Sequence, residues 1–161
     1  MFEKFNLLFL TVFHIGKIRK APGTFTSAIC CLLFLLLINV FNIFIIFLFT
    51  LVIFVYSFVA INNSFDNFKS DDPQEIVVDE FVGQMLPLLV VPIYQTLYPL
   101  EIIYYCISSF LLFRFFDIWK PYPISYVDEN VKGALGIMLD DILAGIFSII
   151  CLLIIFFFIG G

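Results

Sequence analysis

The run AICCLLFLLLINVFNIFIIFLFTLVIFVYSFVAI, residues 28–61, decides the fold. It contains no Asp, Glu, Lys, Arg or His, and the charge-free sequence already begins at Ala21. A span of about 20 apolar residues crosses the hydrocarbon core of a bilayer. The run is too long for one crossing and suits a tight pair. Asn39 and Asn42 interrupt it near one third of its length. The spacing predicts a short span over 24–38 and a second over 41–61.

Three more apolar stretches follow. Residues 81–92 are too few to cross squarely and contain Pro87, which predicts a tilted, broken or re-entrant helix. Residues 97–116 and 136–159 are long enough to span. Polar segments lie between them at 14–23, 62–80 and 117–135. Residues 5–13 are apolar and flanked by Lys4 on one side and Lys17, Arg19 and Lys20 on the other. No small-x-small cleavage site follows them, so an interfacial helix is expected there rather than a signal peptide. The expected fold is all-α. It is a polytopic membrane helix bundle of about four transmembrane helices, with a short broken or re-entrant helix and an interfacial N-terminal segment. Residues 1–161 form one domain.

Composition agrees. The chain is 63% hydrophobic and 13% charged, where a soluble domain carries about 25% charge. That is too little to cover a soluble surface. With a net charge of −5, the composition excludes a disordered chain, a nucleic-acid binder and a soluble enzyme. Cys30, Cys31, Cys106 and Cys151 lie in apolar sequence without a Cys-x-x-Cys pair, and read as small hydrophobes rather than disulfides or metal ligands.

The charges fall on one side. With the first two spans as a hairpin and 81–92 leading out to a returning fourth stretch, 14–23, 62–80 and 117–135 share a face. All eight basic residues lie there, and of the thirteen acids only Glu101 does not. The far-side turns, 39–42 and 93–100, hold no Lys or Arg. Positive-inside bias makes the charged face cytoplasmic.

Acids adjoining apolar sequence carry the chemistry. Asp79-Glu80 opens the third stretch, Asp117 follows Arg114 by three, and Asp140-Asp141 lies at the start of the fifth. An ionised carboxylate in hydrocarbon is costly, so these groups face a cavity, a cation or one another. A hard divalent cation relieves their repulsion, and Mg²⁺ prefers carboxylate oxygens. Simpler readings exist: Asp79-Glu80 as a solvated helix N-terminus, and Arg114 with Asp117 as a structural i, i+3 ion pair. Asp140 and Asp141 resist such a reading, because adjacent helical residues diverge by about 100° and need separate partners. Gly136 and Gly145 flank them, which predicts close backbone approach.

Two segments suit an anion. Lys17-Ile-Arg-Lys-Ala-Pro-Gly-Thr24 places three cations and a Pro-Gly turn before a helix, with Thr24 as the expected N-cap. Lys120-Pro-Tyr-Pro-Ile124 is stiff and is expected to hold Lys120 near Asp117. Ordinary loops are the bland alternative for both. Carboxylates, cations and backbone donors at one membrane edge suit metal-assisted chemistry on a phosphorylated lipid head group. The pattern alone fits hydrolysis and transfer equally.

The chain resembles the phosphatidylglycerophosphatase A family over about residues 16–147. The resemblance rests on Ala21-Pro-Gly-Thr24, Val78-Asp-Glu-Phe-Val-Gly83, Phe113-Arg-Phe-Phe-Asp-Ile-Trp-Lys-Pro-Tyr-Pro-Ile124 and Gly136-Ile-Met-Leu-Asp-Asp-Ile-Leu-Ala-Gly145. Asp128 and Asn130 also fall at positions the family favours. The first loop departs from it: Thr26 stands where the family usually has Gly, and Lys17, Arg19 and Lys20 crowd the loop. The resemblance implies a membrane enzyme of the bacterial inner membrane. Such an enzyme removes the terminal phosphate of phosphatidylglycerophosphate with Mg²⁺ at the cytoplasmic face, in phospholipid synthesis. It implies Asp79, Glu80, Asp140 and Asp141 as metal ligands and Asp117 as a further catalytic acid. Arg114, Lys120 and Thr24 are implied as substrate-binding. No Cys or Ser in these motifs has a base nearby in sequence, which favours direct attack by water. A transporter with intramembrane carboxylates, a non-catalytic scaffold and a phosphotransferase are the alternatives. The acids gather at one edge rather than the midplane, and no inverted repeat or nucleotide signature is present.

Overall fold

The structure, a computed structural model, describes residues 2–64, 75–93 and 102–160. In chain order these form α1 (Phe2–Leu10), a 3-10 turn (Ile15–Lys17), α2 (Pro22–Leu37), α3 (Ile43–Ser64) and α4 (Val78–Leu89). Then come α5 (Ile102–Trp119), α6 (Ile124–Asn130) and α7 (Gly133–Gly160). Among the described residues there is no strand. Lys69, the 93–100 turn beyond Ile93, and Glu101 lie outside them.

Among the described residues, three helices are long and apolar enough to cross a membrane: α3, α5 and the Gly133–Ile155 part of α7. The 16-residue α2 is the short fourth apolar helix; at 1.5 Å per residue it rises about 24 Å. Large side chains on α3 such as Phe44, Val52 and Val55 are exposed, as a lipid-facing surface requires.

The twelve-residue α4 rises only about 18 Å, less than the hydrocarbon thickness of about 30 Å. It sits inside the bundle, with Val78, Val82, Met85 and Leu88 buried. Pro87 falls in its last turn, and the Pro87 carbonyl accepts a hydrogen bond from the Tyr105 hydroxyl at 2.6 Å. Gln84 Nε2 donates to Ser109 Oγ at 3.0 Å one turn nearer the polar end. These two bonds set α4 antiparallel to α5. Against α7, α4 runs parallel: Gly83 faces the Asp141 carbonyl, and Gly145 faces Gly83 and Leu86.

The Gly83–Gly145 contact has a local cause. Pro87 has no N–H to satisfy the Gly83 carbonyl four residues earlier. That same carbonyl meets Gly145, where an added Cβ would stand 2.6 Å away. The expected close approach at Gly145 is therefore made by α4. At Gly136 it is made by the chain itself, since a Cβ there would strike the Val131 carbonyl.

The N-terminal helix is shifted from the expected 5–13 and docks on α3. Phe9 and Phe5 set their ring edges against Tyr56, and the Tyr56 hydroxyl donates to Asn6 Oδ1 at 2.8 Å. The Val77 N–H donates to the Leu10 carbonyl at 3.0 Å, tying α1 to the start of α4. The polar segments 14–23 and 117–135 and residues 75–80 thus meet at one end of the bundle.

Candidate active site

At that end lies a cavity of about 330 Å³. The first turn of α2 supplies Ala21 to Gly23, and α4 supplies Asp79 and Glu80. Arg114 and Asp117 come from the last turns of α5, and Asp140 and Asp141 from α7. The segment between α5 and α7 adds Lys120, Asp128 and Lys132. Among the described residues six carboxylates face three cations across this lining, an excess of acidic groups.

Asp79, Glu80 and Asp141 each offer an oxygen within 4.8 Å of the others. Two helices make this possible. Asp79 and Glu80 are consecutive in the first turn of α4, and the glycine contact at Gly83 brings the Asp141 turn of α7 alongside. Asp79 Oδ1, Glu80 Oε2, Asp140 Oδ1 and Asp141 Oδ1 are buried and have no hydrogen-bond partner among the described residues. Buried polar atoms normally have one. Clustered carboxylates with unpartnered oxygens, as at Asp79, Glu80 and Asp141, are the donor set that suits Mg²⁺. Burial first, and then the neighbouring charges of Glu80 and Asp140, push Asp79 well above the usual carboxylate range. Burial and Asp117 push Glu80 up to about 8, with Arg114 acting against them.

Asp140 is turned differently. Its Oδ2 accepts from Lys120 Nζ at 2.8 Å, and Lys120 Nζ also donates to Asp128 Oδ1 at 2.5 Å. Burial works to lower the Lys120 pKa, but these two bonds outweigh it and hold the ammonium above its ordinary value. The geometry arises at the end of α5. Lys120 takes a left-handed φ of 45°, its N–H closes on the Phe116 carbonyl at 2.8 Å, and Pro121 stops the helix. The chain turns there, and α6 returns Asp128 to Lys120. The stiff Lys-Pro-Tyr-Pro segment predicts Lys120 beside Asp117; its ion-pair partners are instead Asp128 and Asp140. Asp128 is the site residue that the acid pairs in sequence do not single out.

Asp117 is paired as its spacing suggests: Arg114 Nη1 lies 2.5 Å from Asp117 Oδ2 and 4.0 Å from Glu80 Oε1. A Cβ on Gly23 would run into Glu80 Oε1 and lie 3.0 Å from Arg114 Nη1. Glycine at this point lets α2 close onto the site. The expectation for Thr24 is corrected. The N-cap is Ala21 at φ 49°, Pro22 occupies the first helical position, and Thr24 is half-buried inside the first turn. Proline at that position suits the missing N–H, a signal present in the sequence. Thr24 is not among the cavity-lining residues, whereas Pro22 and Gly23 are.

The fold and this cavity define a membrane-embedded helical enzyme with an acid-rich site at one end of its spans, and the comparisons give its class as phosphatase. Residues 8–156 match the family described as Phosphatidylglycerophosphatase A, and the chain belongs to that family. A phosphatidylglycerophosphatase A of Haemophilus influenzae is 34% identical over 138 residues, covering 86% of this chain and 80% of that protein. The Escherichia coli protein of the same name is 40% identical over 77 residues, 48% of this chain and 41% of its own. A Bacteroides thetaiotaomicron protein named as a candidate phosphatidylinositol-3-phosphatase is 39% identical over 109 residues, 68% of this chain and 65% of its own. No solved structure matches the chain.

Proposed function

We propose that the protein hydrolyses the terminal phosphate of phosphatidylglycerophosphate, giving phosphatidylglycerol and inorganic phosphate, by Mg²⁺-assisted attack of water. The observation that carries this reading is the convergence of Asp79, Glu80 and Asp141 beside Arg114 and Lys120. The one-sided charge supports placing that end at the cytoplasmic face of the bacterial inner membrane. The names of the Haemophilus and Escherichia relatives support the substrate.

Asp79, Glu80 and Asp141 would hold the ion, with Asp140 Oδ1 directed at the same cavity as a fourth candidate. When bound, Mg²⁺ supplies Lewis-acid polarisation of the phosphoryl group and of the attacking water. Arg114 is fixed by Asp117 so that its guanidinium stands at the cavity wall, where it binds phosphate oxygens. Lys120 positions Asp140 and Asp128 and adds positive charge to the rim. A cavity carboxylate takes the proton from water as general base. Cys30, Cys31 and Cys106 are buried in the packed core and do not line the cavity, which favours water over a thiol as nucleophile.

The test is phosphate release by purified protein in detergent from three lipids, with Mg²⁺ and with EDTA. The lipids are phosphatidylglycerophosphate, phosphatidic acid and phosphatidylinositol 3-phosphate. Release from the first, abolished by EDTA, is expected. Preferential release from the third would transfer the assignment to the activity named for the Bacteroides relative.

A further inference from the structure

Lys17 and Arg19 take no part in the catalytic cavity. With Gly16, Ile18, Pro22 and Glu75 they line a separate recess of about 420 Å³. Pro22 also lines the catalytic cavity, so one residue separates the two hollows. The recess has a fixed wall. Gly16 lies so close to the Glu75 carbonyl that a Cβ would collide with it, and the Gly16 N–H donates to the Thr11 carbonyl at 3.0 Å.

Ile15, the chain neighbour of Gly16, belongs to a third hollow, apolar and about 260 Å³ in volume. Its walls reach Phe9 of α1, Leu33 in the body of α2 and Phe49 in the body of α3. The catalytic cavity and the recess thus share Pro22, and the recess and the apolar slot adjoin through the chain neighbours Gly16 and Ile15. A lipid with a phosphorylated glycerol head group offers a phosphomonoester, a phosphodiester and an acyl chain to such a set.

We propose that Lys17 and Arg19 bind the phosphodiester of the lipid substrate while an acyl chain enters the slot between α1, α2 and α3. The inference rests on the lipid-phosphatase reading and adds head-group selection to it. Among the described residues of its lining, two cations stand against one acid, Glu75, and this positive balance complements a diester anion. Phosphatidic acid has a monoester but no diester and leaves the recess unfilled. The N-terminal segment becomes the part that recognises the lipid, with α1 held on Tyr56 as one wall of the slot.

The test compares wild type, the double variant Lys17→Gln/Arg19→Gln, and Lys20→Gln, which removes a charge from the same loop without touching the recess lining. In mixed micelles the double variant is expected to raise KM for phosphatidylglycerophosphate about tenfold with little change in kcat. KM for phosphatidic acid and both constants of Lys20→Gln are expected to stay near wild type. An unchanged KM in the double variant, or an equal rise in Lys20→Gln, would overturn the proposal. Wild type that releases no phosphate from this lipid would refute the substrate assignment instead. Binding of fluorescent phosphatidylglycerol, which carries the diester alone, then gives the decision: about tenfold weaker binding in the double variant supports the recess, and equal binding overturns it.

Discussion

Gly83 lies against the carbonyl of Asp141, so close that a Cβ on Gly83 would stand 2.7 Å from that oxygen and 2.8 Å from Cε2 of Phe113. This contact joins the helix carrying Asp79 and Glu80 to the helix carrying Asp141. Gly83→Ala must separate α4 from α7, because the obstructing atoms include backbone that cannot rotate away. Overpacking of this kind costs about 1–3 kcal/mol. We expect helical content to persist by circular dichroism while Mg²⁺-dependent phosphate release falls at least about tenfold, since a displacement of about 1 Å is enough to disable a site. Wild-type activity in Gly83→Ala would show that the glycine contact does not set the carboxylate spacing.

The carboxylate cluster makes a paired prediction about stability. Asp141→Asn takes one carboxylate out of a crowded, buried cluster, so without metal the variant is expected to melt at or above the wild-type temperature. Added Mg²⁺ is expected to raise the wild-type Tm, as a ligand of the folded state alone does, and the variant is expected to lose most of that rise. Equal Mg²⁺-induced shifts in the two proteins, measured by thermal unfolding in detergent, would contradict a metal role for Asp141.

Lys120 gives the pH dependence. Its pKa in the folded protein is raised above the ordinary 10.5 by the bonds to Asp128 and Asp140. A raised lysine stabilises fully below the ordinary value, and its contribution disappears as pH rises from there through the folded value. Lys120→Met is therefore expected to lower Tm by about 2–4 °C between roughly pH 7 and 10, an effect kept small because the pair is partly solvated. The difference from wild type should shrink in more alkaline solution. A difference that grows above pH 10.5 would have the wrong sign.

The thiols provide a negative test. Cys30 Sγ donates to the Phe81 carbonyl at 3.4 Å and is packed among Phe34 and Met85. Replacing all four cysteines by Ala leaves small cavities costing about 1 kcal/mol each, with kcat expected within a few-fold of wild type. Loss of turnover in a folded quadruple variant would point to a thiol nucleophile.

Much of this arrangement is legible in the sequence because charge is excluded from hydrocarbon. The charge-free runs locate α2, α3 and α7 to within a few residues. The fourth apolar stretch reads as 97–116; its residues 97–101 lie outside the described residues, and its far end runs on to Trp119, because Arg114 and Asp117 neutralise each other and let the helix continue past them. The start of α4 agrees with the reading of Asp79-Glu80 as the opening of the third stretch: both lie inside the first turn, where the helix dipole favours acids. Thr24 resembles a cap because Pro-Gly reads as a turn, yet Pro22 begins the helix. The bond from Lys120 to Asp128 is not legible. It depends on a chain reversal through α6, which no local pattern encodes. The acid pairs stand out in the sequence because a carboxylate beside an apolar run is costly unless something compensates its charge.

The measurement closest to the central claim is phosphate release from phosphatidylglycerophosphate by wild type, Asp79→Asn and Asp141→Asn, assayed side by side across a Mg²⁺ titration. The carboxylate cluster predicts EDTA-sensitive turnover in wild type and losses on the order of a hundredfold in each variant, with folding intact. Near-wild-type turnover in both folded variants at the same Mg²⁺ concentration would contradict it.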